Sequence, residues 1–474
     1  MPDAHSPPAK EAAAPHRAWV VATVMTGSLS TMAAATIINV AFPALLREFH
    51  VGHDSLQWIA TGFLAATTTT MLATAWLVES FGPRKTFTLT LAVFLAASLL
   101  GAASWSTDAL IAARILQGAA AGIMQPLCMI ALFEVFPPHR RGAAMGMFGI
   151  NVVLVPAIGP SIGGLLVEAF GWRSIFLMPV PFCVVAIGLA TRHLSGRKGH
   201  GRRLPFDWAG SALLTAALVA LLNVPVIGHR VGWASVALVA TVALSAALAL
   251  AFVAWEFRAR VPLLALKLFA VRGFRSAALV SFAYGLGLFG TTYLIPVFVQ
   301  DIAGYTPTQA GYLLLWPGVA LGVTIMLAGR LTDRVDPRWI VALGLACFAL
   351  SSLLLVFTDA RTRFVVLALW LIIGRVGLGM IIPALNVGAV QTLAAEHIAY
   401  AASTVNFVRQ LGGAIGVNLL AVLLEWRLGA YAPEGRSIAA FQECFWVVTI
   451  AFAAAIIPAV AIRQHTPKPA TQRS

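Results

Sequence analysis

The sequence predicts an all-α membrane protein with fourteen transmembrane helices, arranged as two pseudo-symmetric six-helix bundles with an inserted two-helix hairpin. Hydrophobic residues make up 59% of the 474 residues and charged residues only 11%, and the mean hydropathy is +0.87. A water-soluble domain could not bury so much apolar surface, so the lipid bilayer must be the solvent. The helix count comes from a second observation, the number and grouping of long apolar runs.

Fourteen runs are long and apolar enough to cross the hydrocarbon core as helices, which takes about 20 residues each. They form groups of six, two and six along the chain. The runs lie near residues 18–42, 56–78, 86–105, 109–134, 142–167, 174–191, 207–228, 233–254, 274–299, 309–328, 339–357, 364–391, 399–424 and 441–462.

This grouping predicts the domain organisation. We expect a disordered cytoplasmic tail at the N-terminus, a cytoplasmic tail at the C-terminus, a bundle in each half, and cytoplasmic linkers on either side of the hairpin. The second linker is amphipathic, and we expect it to lie along the inner membrane interface as a short helix. The expected bounds are tail 1–17, bundle 18–192, linker 193–206, hairpin 207–254, linker 255–273, bundle 274–462 and tail 463–474.

Basic residues predict the orientation in the membrane. An even number of spans places both termini on one side, and cytoplasmic loops carry the excess of Lys and Arg. Of the 32 Lys and Arg residues, three lie inside spans and most of the rest share the side of the tails. The bases on the opposite side are Arg47, Arg173, Arg230, Arg361, Arg363, Arg427 and Arg436. We therefore expect a multi-pass protein of the inner cell membrane with both termini in the cytoplasm.

Two turns that contain both acids and bases follow the second and eighth bundle runs. The first is AWLVESFGPRKT (75–86) and the second is GRLTDRVDPR (329–338). One such turn would fit an ordinary membrane-interface loop equally well, but two copies at matching places indicate a duplicated transporter. The candidate gating residues are Leu77, Glu79, Gly82, Arg84, Lys85, Gly329, Leu331, Asp333, Arg334 and Arg338.

Three arginines, Arg114, Arg375 and Arg409, lie well inside apolar runs, where a charge is costly and usually functional. Helical spacing places an amide about three turns from each of the first two, on the same face. These polar stripes predict a central aqueous cavity, although the same arginines could instead be structural and bond to neighbouring carbonyls. The candidate cavity residues are Arg114, Gln117, Gln125, Arg375, Asn386, Asn406, Arg409 and Gln410.

The fifth run has a face of small residues and a proline. Gly159, Pro160, Gly163 and Gly164 give the spacing GPxxGG, which predicts a bend and a smooth face where helices approach closely and rock. Simple tight packing is the alternative.

The sequence lacks the motifs that would indicate a nucleotide-driven pump, an enzyme or a metal site. There is no G-x-x-x-x-G-K-[ST] loop and no H-E-x-x-H, and the four cysteines lie in apolar runs without metal-like spacing. The net charge of +14 comes from bases in short loops, which does not favour a nucleic-acid partner. We therefore expect no enzyme, cofactor or metal, and a monomer whose partners are lipid and a small-molecule substrate.

The combined motifs resemble the Major Facilitator Superfamily, and the span count resembles its drug:proton antiporters, which include bacterial multidrug efflux permeases. The two turns are similar to the loop signature G-x-L-x-D-R-x-G-R-K, although the first has Ala75, Glu79 and Ser80 for Gly, Asp and Arg. Arg114, Gln117 and Gly118 match R-x-x-Q-G, and 159–164 resembles the antiporter motif. The resemblance implies two bundles that alternate between inward- and outward-facing states around a mid-membrane site. It also implies that the loop acids lock the cytoplasmic ends together in the outward-open state, and we expect Glu79 and Asp333 to do so by capping helix N-termini of the opposite bundle and pairing with nearby arginines.

One departure concerns the first span. Relatives carry an aspartate two residues before a threonine there, whereas this chain has Ala34 before Thr36. Arginine does not titrate, so a proton would have to use Glu79 or Glu134, or the coupling differs. Without a buried acid the cavity is net positive, which favours neutral or anionic cargo.

The leading interpretation is a secondary active transporter that exports small amphipathic compounds by alternating access, coupled to proton entry. A dedicated metabolite transporter of the same fold and a non-transporting membrane sensor or scaffold are the alternatives.

Overall fold

The structure, a computed structural model, is helical throughout its described part. It describes residues 14–49, 53–196, 205–233, 235–359, 361–391, 393–431 and 436–462, and contains no strand within them. The C-terminal tail, most of the N-terminal tail and residues 197–204 of the first linker lie outside the described residues.

Sixteen α-helices and three short 3₁₀ helices form the described chain. The α-helices are α1 Ala14–Phe49, α2 His53–Phe81, α3 Pro83–Ala102, α4 Thr107–Val135, α5 Arg141–Phe170, α6 Ser174–Leu177, α7 Val180–His193, α8 Trp208–Leu222, α9 Val224–Val231, α10 Val236–Glu256, α11 Arg272–Asp301, α12 Pro307–Thr332, α13 Pro337–Val356, α14 Phe364–Val390, α15 Ile398–Tyr431 and α16 Ser437–Ala459. The 3₁₀ helices are Pro138–Arg140, Leu266–Ala270 and Ala395–His397.

Each predicted apolar run coincides with a helix or a pair of helices. The sixth run is divided into α6 and α7, and the seventh into α8 and α9 at Asn223. In the described part of the chain, thirteen segments are long and apolar enough to cross a membrane. The remaining predicted run, 142–167, lies within the 30-residue helix α5.

The helices pack in two matching sets. In the N-terminal half α2 packs on α4, α1 on α5, and α3 on both α4 and α7. In the C-terminal half α12 packs on α14, α11 on α15, and α13 on both α14 and α16. Because each pairing recurs at the corresponding helix, the two halves share one arrangement.

Glycines allow helix backbones to meet inside each half. A Cβ on Gly118 of α4 would lie 2.8 Å from Phe63 Cα of α2, so no side chain fits there. The Thr67 hydroxyl of α2 donates to the Gly118 carbonyl at 3.0 Å, which ties the same crossing. In the C-terminal half Gly379 of α14 meets α12 in the same way, with its Cβ position 3.0 Å from the Leu321 carbonyl oxygen. Small residues are what membrane helices use for such approaches.

The two halves meet along two seams, α5 with α12 and α2 with α15. Helices α8 and α10 pack against each other, and α8 also contacts α2 and α15, so this pair covers the second seam.

The linker after α10 packs two of its leucines against protein, and its position relative to the membrane stays a prediction. Leu263 and Leu264, which we expected on the membrane surface, are 5% and 7% exposed and pack with Met71, Leu72 and Phe407 of α2 and α15. The Leu264 N–H donates to the Glu256 carboxylate at 3.0 Å. This hydrogen bond turns the linker back onto α10, and its leucines are buried in protein.

A substitution at the α2–α4 crossing tests this packing. Gly118→Ala forces the backbones apart, and we expect it to destabilise the protein by about 1–3 kcal/mol because overpacking is not relieved by rigid neighbours. Thermal unfolding of the purified protein measures the change. Gly188→Ala in α7 is the matched control, because nothing lies within 4 Å of its Cβ position. Equal melting temperatures for the two variants would contradict the close crossing.

Candidate functional site

The two signature turns lie at one end of the molecule, which we name the turn end. In the first, Gly82 separates α2 from α3 with φ of 80°, a conformation that favours glycine, and Pro83 begins α3. The Arg84 Nε donates to the Leu194 carbonyl at the end of α7 at 2.8 Å. In the second turn Asp336 caps α13 through the Arg338 N–H, and Pro337 begins that helix. Each turn is therefore anchored within its own half.

Asp333 connects the second turn to the opposite half. Its two carboxylate oxygens accept hydrogen bonds from the Gly142 N–H at 2.7 Å and the Ala143 N–H at 2.9 Å. These N–H groups are at the start of α5, where unpaired donors and the helix dipole favour an anion. The sequence predicts that the turn acids cap helices of the opposite bundle, and for Asp333 this contact is present.

The environment of Asp333 is balanced between opposing effects. Burial raises the pKa of Asp333, and the two backbone N–H groups together with nearby His139 and Arg140 act against that rise. The desolvation cost offsets part of the hydrogen-bond energy. Such a balance suits a contact that must break and re-form easily.

Glu79 connects the first turn to the opposite half in a different way. The Tyr400 hydroxyl, in the first turn of α15, donates to the Glu79 carboxylate at 2.8 Å. Glu79 and Asp333 thus join the halves at the same end, one through a side chain and one through the backbone.

Glycines lie directly behind the Asp333 contact. A Cβ on Gly329 of α12 would be 2.6 Å from Gly146 Cα of α5, and a Cβ on Gly142 would be 2.7 Å from the Asp333 carboxylate. Side chains at these positions would push α12 away from α5. The carboxylate could then no longer reach the helix start.

The small-residue motif further along α5 faces its own half. Cβ positions on Gly159 and Gly163 would lie against Thr36 and Ile37 of α1, and Gly164 has Val40 within 3.7 Å. The side chain of Pro160 lies outside the described residues. Consequently α5 uses its first glycines against the opposite bundle and its later ones against α1.

Arg114 is buried where three helices meet. It is 2% exposed, and its guanidinium donates to the Ala34 carbonyl at 3.0 Å, the Ile59 carbonyl at 3.4 Å and the Gln117 amide oxygen at 3.0 Å. The guanidinium also lies 4.1 Å from the centre of the Phe63 ring. In this conformation Arg114 joins α1, α2 and α4.

Gln117 extends that network to α3. Its amide nitrogen donates to the Ser98 hydroxyl at 2.9 Å, and the residue is 1% exposed. Arg114 and Gln117 are therefore paired with protein groups here, and their place in a cavity stays a prediction.

Arg375 occupies the position in α14 that corresponds to Arg114 but has different surroundings. It is partly buried, and it forms no hydrogen bond within the described part of the chain. It borders an internal crevice together with Thr291, Ser351 and Ser352. The Tyr284 hydroxyl of α11 interacts electrostatically with Arg375 and Arg409. The C-terminal half therefore contains two guanidinium groups near one phenol, and the crevice beside Arg375 has a volume of about 10 Å³ with a mixed polar and apolar lining.

The remaining candidate cavity residues are divided between the halves. Asn406 is buried and accepts from the Arg409 guanidinium through its amide oxygen. Asn386 is also buried, and its amide lies 3.9 Å from Met145 Sδ of α5, across the seam. Gln125 and Gln410 are partly exposed. The stripe is thus only partly accessible in this conformation.

The other gating residues lie at the turn end. The Leu77 carbonyl accepts from the Thr86 hydroxyl at 3.0 Å, which closes the first turn. Leu331, Arg334 and Lys85 are exposed there, and Arg338 pairs with Asp336 at 3.1 Å.

Sequence reasoning missed several polar partners. Tyr400, Tyr284 and Ser98 bond or interact with predicted site residues, and Asn151 of α5 donates to the Met25 carbonyl and the Ser28 hydroxyl of α1. Asn151 and Tyr284 carried a usable signal, because each is a polar side chain inside an apolar run.

Two similar helical halves that cross the membrane many times, joined at one end by polar contacts, define a membrane transporter built from a repeat. The sequence profile of the Major Facilitator Superfamily matches residues 24–274 and 277–474. The chain therefore belongs to the Major Facilitator Superfamily.

Similar proteins extend over most of the chain. The puromycin resistance protein pur8 of Streptomyces alboniger is 30% identical over 97% of this chain and 94% of its own length. The methylenomycin A resistance protein of Streptomyces coelicolor is 28% identical over 86% and 87%, respectively. The multidrug transporter protein MdtP of Bacillus subtilis is 28% identical over 83% and 73%.

A solved structure shares the fold. The crystal structure of the human organic anion transporter MFSD10 (TETRAN) matches with a TM-score of 0.70 at 17% identity, over 94% of this chain and 99% of that one.

The different surroundings of Arg114 and Arg375 predict different effects of their substitution on thermal stability. We expect Arg114→Leu to lower the melting temperature well below that of Arg375→Leu. It leaves the buried Gln117 amide oxygen without a donor, at about 1–3 kcal/mol, and it removes two further hydrogen bonds to carbonyls of α1 and α2. Arg375→Leu removes no hydrogen bond to the described residues and is the matched control. Thermal unfolding of both purified variants makes the comparison. A loss for Arg375→Leu as large as that for Arg114→Leu would contradict the different roles.

Proposed function

We propose that this protein is a secondary active transporter that exports small amphipathic compounds by alternating access. The observation that carries the proposal is the pair of contacts at the turn end, Asp333 with the start of α5 and Glu79 with Tyr400. Each joins a turn of one half to a helix of the other, and each can break without unfolding either half. Contacts of this kind are what a rocking mechanism requires.

The proposed topology has fourteen spans, with α5 as the span that completes the first bundle and α8–α10 as an inserted hairpin. Both termini and the turn end are then cytoplasmic, as the distribution of bases favours. With the turn end closed, the conformation described here is outward-facing. The proposed domain bounds are those expected from the sequence.

The names of the relatives support export of toxic compounds. Two are resistance proteins, for methylenomycin A and puromycin, and a third is a multidrug transporter. We assign the same class of activity to this chain, drug or toxin efflux across the inner membrane.

Arg375 and Arg409 are the residues that we assign to cargo. Arg375 forms no hydrogen bond to the described residues and borders a crevice that is water-sized in this conformation, and Tyr284 lies near both guanidinium groups. In the described part of the chain Glu256 is the one acid among the buried residues, and it lies at the end of α10. A site with fixed positive charge favours neutral or anionic compounds.

Breaking the Asp333 contact tests the rocking mechanism. We expect Asp333→Asn to abolish most substrate flux in proteoliposomes, since an amide oxygen replaces a carboxylate that accepts two N–H groups. The turn ends should also separate, because a charge-assisted contact contributes about 1.5–3 kcal/mol. Spin-label distances between the two halves at the turn end give that readout.

Asp336→Asn is the matched control for this experiment. Asp336 lies in the same turn, but it caps α13 and pairs with Arg338 within its own half. Its flux and distances should stay close to wild type. Wild-type flux in Asp333→Asn would refute the proposed role, as would equal defects in both variants.

We further propose that transport of neutral cargo is coupled to proton entry, and substituting Ala34 tests this. The Arg114 guanidinium lies 3.0 Å from the Ala34 carbonyl oxygen, so Ala34→Asp places a titratable group beside that guanidinium. We expect a steeper dependence of transport on the pH gradient than in wild type. Ala34→Asn, which cannot titrate, is the control. Lumenal pH is recorded while cargo moves, and a wild-type protein that transports neutral cargo without proton movement would exclude antiport.

A further inference from the structure

A groove on the outer face of the N-terminal half lies outside the proposed transport path. It runs between α3 and α7 at the turn end, with a volume of about 430 Å³, and is lined by Phe81, Lys85, Thr88, Leu89, Ala92 and Ile187. Lys85, Leu89 and Ala92 stand at helical offsets of 0, 4 and 7, on one face of α3. Five of the six lining side chains are uncharged, and most of these are hydrocarbon.

The groove opens toward the bilayer. Leu89 is 54% exposed, and Val184 and Val185 on α7 are 55% and 54% exposed. Exposed apolar side chains on both helices indicate surfaces in contact with lipid tails. An acyl chain therefore matches the chemistry of the groove below Lys85.

Lys85 lies at the mouth of this groove with its charge available. The residue is exposed, and its ammonium group forms no hydrogen bond or ion pair within the described part of the chain. Its neighbour Arg84 is bound to the Leu194 carbonyl. The position in the first turn of α3 adds the positive end of a helix dipole, and α7 ends nearby with exposed Arg192 in its last turn.

We propose that this groove is a binding site for one anionic phospholipid. The phosphate headgroup pairs with the Lys85 ammonium, and one acyl chain lies along Leu89 and Ala92. A zwitterionic lipid fits the apolar part equally well but brings a cation to the mouth beside Lys85. Charge complementarity therefore selects an anionic headgroup.

The site adjoins the turn that contains Glu79. Lys85 follows Gly82 by three residues, and Glu79 precedes Gly82 by three residues. A lipid bound at Lys85 restrains the start of α3, and through Gly82 it restrains the end of α2, where Glu79 binds Tyr400. The anionic lipid content of the membrane thus acts on the contact that closes the turn end.

Lipid binding to the full-length protein in neutral detergent tests the site without any transport assay. Native mass spectrometry is used to titrate dioleoyl phosphatidylglycerol and dioleoyl phosphatidylcholine. We expect wild type to prefer the anionic lipid and Lys85→Gln to bind it about fivefold more weakly, the factor that about 1 kcal/mol per surface base gives. Lys85→Arg should keep the preference, and phosphatidylcholine binding should stay unchanged.

Two further variants locate the site. Ala92→Trp fills the apolar part of the groove and should weaken binding of both lipids. This result distinguishes the contact with the acyl chain from the contact of the headgroup with Lys85. Lys267→Gln removes an exposed base of the linker and should change neither affinity. The proposal is overturned if Lys85→Gln keeps the wild-type preference for phosphatidylglycerol, if Lys267→Gln loses it equally, or if Ala92→Trp binds both lipids as wild type does.

Discussion

The hydrogen bonds from the start of α5 to Asp333 depend on the absence of side chains behind them. Gly142 and Gly146 of α5 meet Gly329 of α12 at backbone contact distance, and a single Cβ there would push the helices apart. The carboxylate then would not reach the Gly142 and Ala143 N–H groups. A smooth surface also offers little resistance when one helix tilts on the other. The same glycines therefore permit the contact and allow it to be lost.

The two halves share one helix arrangement, but corresponding residues in them make different contacts. Where the second turn has Gly329 and Asp333, the first has Ala75 and Glu79, and the longer acid reaches a tyrosine hydroxyl instead of backbone N–H groups. Arg114 is held by two carbonyls and an amide, whereas its counterpart Arg375 borders a crevice. Under the proposed function, this difference places cargo binding in the C-terminal bundle and gives Arg114 a structural role in the N-terminal bundle.

The sequence predicts the helices, but it predicts few of the contacts between side chains on different helices. Apolar runs of sufficient length predicted the helices because lipid forces backbone groups to bond within their own segment. The family resemblance implies that both turn acids cap helices of the opposite half, and in the structure Asp333 does so whereas Glu79 accepts from a tyrosine hydroxyl. Tyr400 could not be identified as the partner of Glu79, because periodicity assigns a residue to a face and not to a neighbour. For a related reason, the amphipathic pattern of the linker predicts an apolar face without showing whether that face meets lipid or protein, and in the structure Leu263 and Leu264 pack against α2 and α15.

Fixed positive charge in the proposed site determines which energy source transport requires. Arginine stays charged throughout a cycle, so Arg375 and Arg409 cannot release a proton as a carboxylate would. An anionic cargo that leaves a negative interior gains about 2.3 kcal/mol per charge for each 100 mV of membrane potential, which favours export without a counter-ion. A neutral cargo gains nothing from the potential and needs coupling to an ion. The replacement of the first-span acid by Ala34 is therefore consistent with export in either case, but only neutral cargo requires a proton pathway through groups such as Glu79 or Glu134.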